Sequence, residues 1–401
     1  MAVVLVMVGL PARGKTYTAR KIVRHMQWHG HAAKVFNVGN YRRERLGSNQ
    51  PASFFDPDNS EGRSARRAMA EAALADLFGW LDSGGEVAIY DATNITRERR
   101  GWVRASIRER GIEPIFVESI CNDSDIVATN IRETKLLSPD YVGADPERAV
   151  RDFTRRIEHY ERAYEPITDE ALSWVKVVDV GRRVVINRVQ GPLATRIVAL
   201  LMNLHIVPRT LYFTRHGESA YNVLGKLGGD PSLSPRGRRY GPALSRFLDT
   251  RQTRPAHVWT STLRRTIETA RPGTSAARSW RLLDEIDAGV CNGWTYADVA
   301  ARMPDDFQRR KADKLRYRYP RGESYLDVME RLGPVILELE RQQESVLVVA
   351  HNAVIRCLYA WFADKTVDEA PHLEIPLHTV IAITPRAYGI LEERFALDVD
   401  A

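Results

Sequence analysis

The stretch VVLVMVGLPARGKTYTA, residues 3–19, predicts the architecture of the first half of the chain. Its unbroken apolar run is typical of a strand buried on both faces, and the residues after Gly14 are typical of a helix. The loop between them reads Gly9-xxxx-Gly14-Lys15-Thr16, a P-loop pattern in its expected strand–loop–helix context. In such a loop backbone N–H groups bind phosphates, the lysine reaches the β- and γ-phosphates, and the threonine hydroxyl ligates Mg²⁺.

Length and composition predict a globular protein of two domains. The 401 residues are 44% hydrophobic and 27% charged, and domains typically span roughly 100–200 residues. Lysine and arginine outnumber the acidic residues by 58 to 51, a net charge of +7 that favours anionic ligands, either nucleic acid or small phosphorylated metabolites. Some arginines of the first half are candidates for a second phosphate pocket, although each alone is more often a solvated residue. These are Arg42, Arg43, Arg97, Arg99, Arg155 and Arg156.

Cysteine usage and hydropathy predict a cytoplasmic protein with no membrane partner. Cys121, Cys291 and Cys357 lie far apart and lack the CxxC spacing of a zinc site. They give no sign of a disulfide framework, which favours a reducing compartment. The apolar opening MAVVLVMVGL has no basic residues before it and is shorter than the ~20 residues of a bilayer-spanning helix.

A second apolar run, EVAIYDATN at residues 86–94, contains Asp91 at its end. A parallel strand would bring this carboxylate to the sheet edge beside the P-loop, where it can hold Mg²⁺ or orient an attacking hydroxyl. The alternative is that Asp91 caps the helix that follows. The further run IEPIFVESI, and the spacing of elements up to residue 180, predict a doubly wound α/β domain.

The second half carries two histidines that each follow an apolar strand. TLYFTRHG at residues 210–217 contains His216, and ESVLVVAHNAVIR at residues 344–356 contains His351. Parallel strands would bring both rings to one edge of a sheet. Each histidine alone is more often an ordinary, partly buried residue, but the Arg-His-Gly turn and the TSTLRRTIETA pattern around Arg265 favour a phosphotransfer site.

These residue types suit a phosphohistidine mechanism. A neutral imidazole attacks phosphorus and divides one phosphoryl transfer into two easier steps. Charge on the phosphoryl oxygens requires donors, which Arg215, Arg265 and a protonated His351 can supply. Glu285 is the candidate general acid for the leaving alkoxide, and a solvated turn residue is the alternative interpretation of it.

Taken together, these residues resemble one family over essentially the whole chain, the bifunctional 6-phosphofructo-2-kinase/fructose-2,6-bisphosphatases. The similarity rests on segments in the family's order: VMVGLPARGKTY, KVFNVGNYRRE, DATNITRERR, SPDY, INRVQ, LMNLHIVPR, RHGES, LGGD, SLSPRG, EIDAGVC, YRYPRGESY and PLHTV. It implies two α/β domains, each a mainly parallel sheet flanked by helices. A P-loop kinase over residues 1–206 would precede a histidine phosphatase over residues 207–401. The kinase would move the γ-phosphoryl group of MgATP to the 2-hydroxyl of fructose 6-phosphate, and the phosphatase would remove it.

The resemblance implies roles in the first domain residue by residue. ATP would bind to the P-loop from Gly9 to Tyr17, including Gly14, Lys15 and Thr16, and to the segment from Asn130 to Lys135. Thr16 and Asp91 would hold Mg²⁺. The catalytic positions would be Lys15, Asp91, Lys135 and Cys121, the last with a positional role at most. Fructose 6-phosphate would bind to Arg42, Thr93, Arg99, Arg156 and Tyr160.

In the second domain the resemblance implies that His216 is phosphorylated, Glu285 is the acid and His351 is the second histidine. The residues around the transferred group would be Arg215, Asn222, Gly228 and Arg265. Those that recognise the sugar phosphate of fructose 2,6-bisphosphate would be Tyr296, Arg310, Lys314, Tyr325, Asn352 and Arg356.

Three positions depart from the family pattern. Asp56 in FFDPDN stands where an arginine usually contacts fructose 6-phosphate, which predicts weaker sugar binding through repulsion. Arg63 and Arg66 are candidate replacements for the missing cation. Asn40 replaces an acidic residue or glutamine before YRRE, and Asn352 replaces a glutamine with a shorter amide, for which we expect a small effect.

Two other functions stay open from the sequence. A fructose-2,6-bisphosphatase with a weak or repurposed ATP-binding kinase domain fits the presence of Asp56. A polynucleotide end-processing kinase and phosphatase fits the basic charge, but the chain lacks the interleaved aromatic and basic residues of a single-strand groove, so we expect no nucleic-acid partner. The family leaves open a homodimer through the kinase domains. The short ends of the chain predict that it lacks the extended termini at which many eukaryotic members are regulated.

Overall fold

The computed structural model describes two compact units, Met1–Ile206 and Val207–Ala401. The residues described are 2–48, 50–135, 139–141, 145–179, 181–205, 209–251, 254–273, 276–385 and 389–400, except the side chains of 133–135 and 146. Each unit contains one six-stranded sheet flanked by helices, so the predicted α/β fold class is confirmed. Within the described residues, every helix falls short of the length and hydropathy that a bilayer-spanning segment requires.

The first unit is a mainly parallel sheet. Its strands are β1 (Val3–Val8), β2 (Ala33–Asn37), β3 (Val87–Asp91), β4 (Ile115–Ile120), β5 (Ser173–Val178) and β6 (Arg183–Asn187). Its helices are α1 (Lys15–Trp28), α2 (Val38–Leu46), α3 (Ser60–Asp82), α4 (Arg97–Arg108), α5 (Ser124–Lys135), α6 (Pro146–Arg162) and α7 (Pro192–Leu201), with a short 3-10 helix at Ala52–Phe55. The strand order is β2-β3-β1-β4-β5-β6, and of these pairs β5–β6 is antiparallel.

The central strand β1 explains the unbroken apolar run of the opening sequence. Side chains alternate across a strand, so Val4, Val6 and Val8 share one face. That face packs against residues of α3 and α4 in one hydrophobic core. Leu5 and Met7 project to the opposite face and are also fully buried. A strand covered on both faces has no position for a polar residue.

The second unit is a mixed sheet with a parallel centre. Its strands are β7 (Leu211–Arg215), β8 (His257–Thr260), β9 (Arg278–Ser279), β10 (Val346–Ala350), β11 (Thr379–Pro385) and β12 (Ile390–Ala396). Its α-helices are α8 (Ala220–Val223), α9 (Pro235–Asp249), α10 (Arg264–Ala270), α11 (Tyr296–Arg302), α12 (Pro304–Ala312), α13 (Tyr325–Arg341) and α14 (Asn352–Phe362). Short 3-10 helices occur at Arg271–Gly273, Arg281–Leu283, Gly289–Cys291 and Ala370–His372. The strand order is β12-β11-β7-β10-β8-β9, with β11 and β12 antiparallel to their neighbours.

The strand register brings polar residues together at the carboxyl edge of each sheet. In the first unit Asn37 at the end of β2 pairs with Asp91 at the end of β3. In the second, Ala350 at the end of β10 pairs with Arg215 at the end of β7. Ligand sites of open α/β sheets form at this edge, outside the carboxyl ends of the strands.

Candidate active sites

The P-loop turns between β1 and α1 with its glycines in conformations that other residues avoid. Gly9 has a φ of 132°, and a Cβ on it would lie 2.4 Å from the carbonyl oxygen of Ser119. Gly14 has a φ of 81° and immediately precedes Lys15, the first residue of α1. The first N–H groups of the helix therefore face the loop, as a phosphate site requires. Lys15 is buried and donates a hydrogen bond to the carbonyl oxygen of Leu10 at 2.6 Å.

Asp91 joins the P-loop to the ends of two strands. Its Oδ2 accepts hydrogen bonds from Thr16 Oγ1 at 2.8 Å and from Asn37 Nδ2 at 2.6 Å. The carboxylate is nearly fully buried, and the pair of Thr16 and Asp91 oxygens suits Mg²⁺, which binds proteins through few carboxylates plus substrate phosphates. The alternative that Asp91 caps the next helix is wrong, because Thr96 caps α4 and accepts from the N–H of Arg99.

The remaining residues predicted for the nucleotide site lie around the same loop. Asn130 on α5 is buried and donates to the carbonyl oxygen of Ala12 within the P-loop at 3.1 Å. Cys121 follows β4 and is buried, and burial raises the pKa of its thiol, which fits a positional role. Tyr17 is buried on α1. The side chain of Lys135 lies outside the described residues.

Two predicted sugar-site arginines meet around one phenyl ring. The guanidinium of Arg156 lies 4.4 Å and that of Arg42 lies 5.4 Å from the ring centre of Phe55. Arg42 is buried and bonds both carboxylate oxygens of Asp140 at 2.6 Å. Arg156 Nε lies 3.1 Å from Asp152. The carboxylates therefore orient a pair of cations in the absence of substrate.

The other predicted sugar-site residues extend this cluster. Burial raises the pKa of Tyr160, and the nearby guanidiniums of Arg66 and Arg156 oppose that rise. Tyr160 also hydrogen-bonds Thr93. Arg99 donates to the hydroxyl of Tyr90 at 3.1 Å, and burial lowers its pKa. Arg66, considered from the sequence only as a replacement cation, thus lies beside Tyr160, whereas Arg63 is exposed.

The Asp56 side chain contacts two residues of α6. Its Oδ2 lies 3.2 Å from His159 Nδ1 and 3.3 Å from a guanidinium nitrogen of Arg162. The N–H of Asp58 donates to its Oδ1, and this bond, with His159 and Arg162, lowers the pKa of the Asp56 carboxyl.

Asn40, the second departure from the family pattern, accepts from Arg43 on the same helix at 2.7 Å. Its amide oxygen therefore holds a neighbouring guanidinium of α2. The bond spans three residues along one helix face, so it is a local contact.

In the second unit His216 is buried directly after β7, and one of its ring nitrogens is hydrogen-bonded. Nδ1 lies 2.6 Å from the carbonyl oxygen of Gly217, so Nδ1 carries the hydrogen and Nε2 keeps its lone pair. Burial, with the neighbouring Arg265 and Arg215 guanidiniums, lowers the pKa of His216 well below its usual value. The ring is therefore a neutral nucleophile at physiological pH.

His351 lies behind His216, with the two ring centres 5.1 Å apart. It is fully buried, and its Nε2 lies 2.7 Å from Ser261 Oγ. Ser261 Oγ also accepts the N–H of Leu263 and lies 2.9 Å from Thr266 Oγ1, so this hydroxyl network fixes the orientation of the His351 ring. Burial, with Arg265 and His216, lowers the pKa of His351. This direction favours the neutral ring over the protonated His351 expected from the sequence.

A cavity of about 350 Å³ opens in front of His216. The predicted residues that line it are Arg215, His216, Asn222, Gly228, Arg265, Glu285, Tyr296, Arg310, Lys314, Tyr325, Asn352 and Arg356. Sequence reasoning missed Lys226 and Tyr319, which also line it. Lys226 stands directly before the quoted LGGD segment and could have been found there.

Glu285 faces the amino terminus of α14. Its carboxylate oxygens accept N–H groups of Asn352 and Ala353, each at 3.2 Å. The alternative of a merely solvated turn residue does not fit these bonds. Arg215 donates to the carbonyl oxygen of Ile375 at 3.1 Å and Arg265 to that of Gly229 at 2.9 Å, which fixes both guanidiniums around the cavity.

The far end of the cavity carries cations held by tyrosines and carbonyl groups. Arg310 donates to the hydroxyls of Tyr296 at 2.7 Å and Tyr319 at 2.8 Å, and Arg356 donates to that of Tyr325 at 3.1 Å. Lys314 donates to a backbone carbonyl at 2.6 Å. Burial, with the neighbouring guanidiniums, lowers the pKa of Lys314 to about 8.

Two of the lining residues shape the loop over the transferred group. Asn222 Oδ1 accepts both the N–H and the hydroxyl of Ser219, which closes the turn before α8. Gly228 has a φ of 63°, and a Cβ on it would lie 1.7 Å from Asn292 Oδ1. The loop can follow this course only with glycine at that position.

Comparison with known proteins assigns both units. The family model of 6-phosphofructo-2-kinase matches residues 1–208, and that of the histidine phosphatase superfamily (branch 1) matches residues 211–397. The 6-phosphofructo-2-kinase/fructose-2,6-bisphosphatase of Gallus gallus is 50% identical over 99% of this chain and 85% of its own. The enzyme of Aquarana catesbeiana is 49% identical over 99% of this chain and 85% of its own. The Homo sapiens enzyme numbered 1 has the same identity and coverage. The chain belongs to the 6-phosphofructo-2-kinase/fructose-2,6-bisphosphatase family.

Membership of the 6-phosphofructo-2-kinase/fructose-2,6-bisphosphatase family confirms the resemblance found in the sequence motifs. The chain is a bifunctional enzyme with a kinase unit and a phosphatase unit, and a kinase uses a nucleotide. This favours a sugar phosphate over the polynucleotide alternative. Sequence reasoning also did not single out Ser261, which lies within the quoted TSTLRRTIETA pattern.

Proposed function

We propose that the kinase unit makes fructose 2,6-bisphosphate from MgATP and fructose 6-phosphate, and that the phosphatase unit hydrolyses it to fructose 6-phosphate and phosphate. The names of the relatives support this proposal. The observation that carries it is a neutral His216 at the floor of a cavity lined by six cationic side chains. Those cations are Arg215, Lys226, Arg265, Arg310, Lys314 and Arg356.

The phosphatase reaction begins with attack by His216. Its Nε2 lone pair forms a bond to the phosphorus on O2 of the sugar, and the P–O2 bond breaks. Glu285, in its acid form, gives its proton to O2, which releases fructose 6-phosphate. A water molecule then loses a proton to the Glu285 carboxylate and attacks the phosphorus, and the N–P electron pair returns to Nε2.

Donors around the phosphoryl group stabilise the charge that develops in both steps. Arg265, which is buried, and Arg215, which is half-buried, lie beside the histidines and supply guanidinium N–H groups, while the Nδ1–H of His351 supplies a neutral donor. Nδ1 of His351 is buried without a hydrogen-bond partner among the described residues, and we propose that it carries the ring hydrogen and donates it to a phosphoryl oxygen of the bound substrate. Arg310, Lys314 and Arg356 at the far end would bind the second phosphate of the bisphosphate.

In the kinase unit the P-loop and the arginine cluster would bind the two substrates. The N–H groups at the start of α1 and Lys15 hold the nucleotide phosphates. Mg²⁺ held by the Thr16 hydroxyl and the Asp91 carboxylate would neutralise charge on the transferred phosphoryl group. Arg42, Arg66, Arg99 and Arg156 supply the cations that a sugar phosphate requires, together with the Tyr160 hydroxyl.

A quenched single-turnover experiment tests the phosphatase half. Fructose 2,6-bisphosphate labelled with ³²P at the 2-phosphate is mixed with enzyme, quenched in alkali, and digested for mapping. We expect transient, alkali-stable and acid-labile label on the peptide that contains His216. His216→Ala should abolish the label, and Glu285→Gln should slow its appearance. Hydrolysis of substrate without protein-bound label, or label on another residue, would overturn this mechanism.

A further inference from the structure

Asp56 belongs to a short segment at the rim of the sugar site, residues 52–56, here named the sugar-site loop. Its carboxylate lies within 3.3 Å of both His159 and Arg162 on α6. These two residues sit in the last turn of the helix, where a cation is also favoured by the helix dipole. The negative charge of Asp56 is therefore already matched before any substrate binds.

The guanidinium that pairs with Asp56, that of Arg162, starts from a different face of α6 from the residues of the sugar site. Arg156 and Tyr160 are four residues apart and share one helix face. Around the helix axis Arg162 lies roughly 120–160° from these two residues, whereas His159 lies roughly 60–100° from them.

The same loop is fixed from its other side by α3. Arg66 donates to the carbonyl oxygens of Phe54 and Asp56. Asn59 donates to the carbonyl oxygen of Ser53 at 3.0 Å and caps α3 with its side-chain oxygen. At Gly62 the loop approaches so closely that a Cβ would lie 2.4 Å from the Phe54 carbonyl oxygen.

Between these two attachments the loop presents Phe55. This ring is buried and contacts the guanidiniums of Arg156 at 4.4 Å and Arg42 at 5.4 Å, with the Tyr160 ring 6.1 Å away. A displaced loop would move the ring on which both arginines rest. It would also release Arg66, whose guanidinium lies beside Tyr160.

From this arrangement we propose that Asp56 is a positioning residue for fructose 6-phosphate binding. Its ion pair with Arg162, whose guanidinium also bonds His159 Nδ1, fixes the sugar-site loop between α3 and α6, and so holds Phe55 and Arg66 where the sugar phosphate binds. The proposal rests on the proposed kinase function. It opposes the simpler expectation that Asp56 repels the substrate, because the two accounts predict opposite signs for the effect of removing its charge.

The test uses His216→Ala as the parent, so that product accumulates, and measures initial rates of fructose 2,6-bisphosphate formation. Asp56→Ala should raise KM for fructose 6-phosphate about fivefold, the order expected for loss of a surface ion-pair network. KM for ATP and kcat should stay within about twofold, because the P-loop is untouched. Asp56→Asn, which keeps an acceptor for the Asp58 N–H, should give a smaller rise and serves if the alanine variant folds poorly.

A double-mutant cycle separates the ion pair from general charge effects. Arg162→Met should raise KM for fructose 6-phosphate in the same direction, and the double variant with Asp56→Ala should be no worse than the worse single variant. Asp58→Ala is the matched control, since it removes an equal charge from an exposed residue two positions away. It should leave KM for fructose 6-phosphate unchanged.

The outcomes are distinct. A lower KM for fructose 6-phosphate in Asp56→Ala would establish repulsion and overturn the proposal, as would an unchanged KM. If the parent makes no product, the proposed function fails, and calorimetric titration with fructose 6-phosphate then tests the loop directly. Weaker binding of fructose 6-phosphate by Asp56→Ala than by the parent would support the positioning role. Equal or tighter binding by the variant, or no binding by the parent, would overturn it.

Discussion

Substituting Ser261 with alanine should slow the phosphatase through His351. The Ser261 hydroxyl lies 2.7 Å from His351 Nε2, and both side chains are fully buried. Alanine leaves that nitrogen without a partner and without water, which costs about 1–3 kcal/mol for a buried polar group. The lost bond also frees the ring to exchange tautomers, so that Nδ1 no longer holds its hydrogen for the phosphoryl oxygen. Loss of one preorganised donor to a transition-state oxygen costs about a hundredfold in rate, so kcat for fructose 2,6-bisphosphate should fall by up to about that factor.

Steady-state hydrolysis together with phosphohistidine trapping measures this effect. KM should change little, because Ser261 does not line the cavity in the described part of the structure. Near-UV circular dichroism and a denaturant titration of the same variant report whether the second unit is folded. Ser279→Ala is a matched control, because it removes a hydroxyl that bonds Thr260 at 3.0 Å beside Ser261 but does not contact the histidine. A Ser261→Ala enzyme with unchanged kcat would refute the orienting role and the tautomer assigned to His351.

Three further outcomes follow from individual contacts. Asp91→Asn should lower kinase kcat by more than about a hundredfold and leave hydrolysis intact, as measured by paired assays of the two activities. Burial lowers the pKa of Lys314 to about 8, so the side chain loses its charge as pH rises through that value. Phosphatase kcat/KM reports the ionisations of the free enzyme and should therefore fall near pH 8. Lys314→Arg should remain flat to pH 9, and an equal fall in this variant would count against Lys314. Gly228→Ala, which forces a Cβ against Asn292, should lower the free energy of unfolding by about 1–3 kcal/mol. Gly225→Ala, with a φ of 64° but open space, should cost less in the same denaturant titration, and equal costs would exclude the clash as the cause.

The strands and their polar ends were predictable because the signals are local. A continuous valine run is typical of a strand covered on both faces, and β1 has that environment. His216 and His351 each follow such a run, and parallel pairing of β7 with β10 places the two rings 5.1 Å apart. The helix cap at Thr96 could also be predicted from the local sequence. An N-cap side chain must directly precede the helix, and Thr96 stands next to Arg97, the first residue of α4, whereas Asp91 lies several residues earlier.

The contacts that set the fine properties of the sites were not predictable, because they join distant segments. Arg162 meets Asp56 across 106 residues, and Ser261 meets His351 across 90. The sequence establishes only that Asp56 is negatively charged, and that charge alone predicts repulsion of fructose 6-phosphate. Its effect depends on which face of α6 lies against the sugar-site loop, and only tertiary packing determines that. The neutral state of His351 likewise follows from burial, which the motif does not report.

The measurement that tests bifunctionality most directly is the amount of fructose 2,6-bisphosphate that His216→Ala forms from MgATP and fructose 6-phosphate. The substitution removes the nucleophile of hydrolysis and leaves the P-loop and the sugar-site arginines unaltered. The account predicts accumulating product with saturable dependence on fructose 6-phosphate, while the unsubstituted enzyme hydrolyses the same product. Absence of product, with hydrolysis by the unsubstituted enzyme retained, would contradict the account and mark the chain as a phosphatase whose kinase fold serves another purpose.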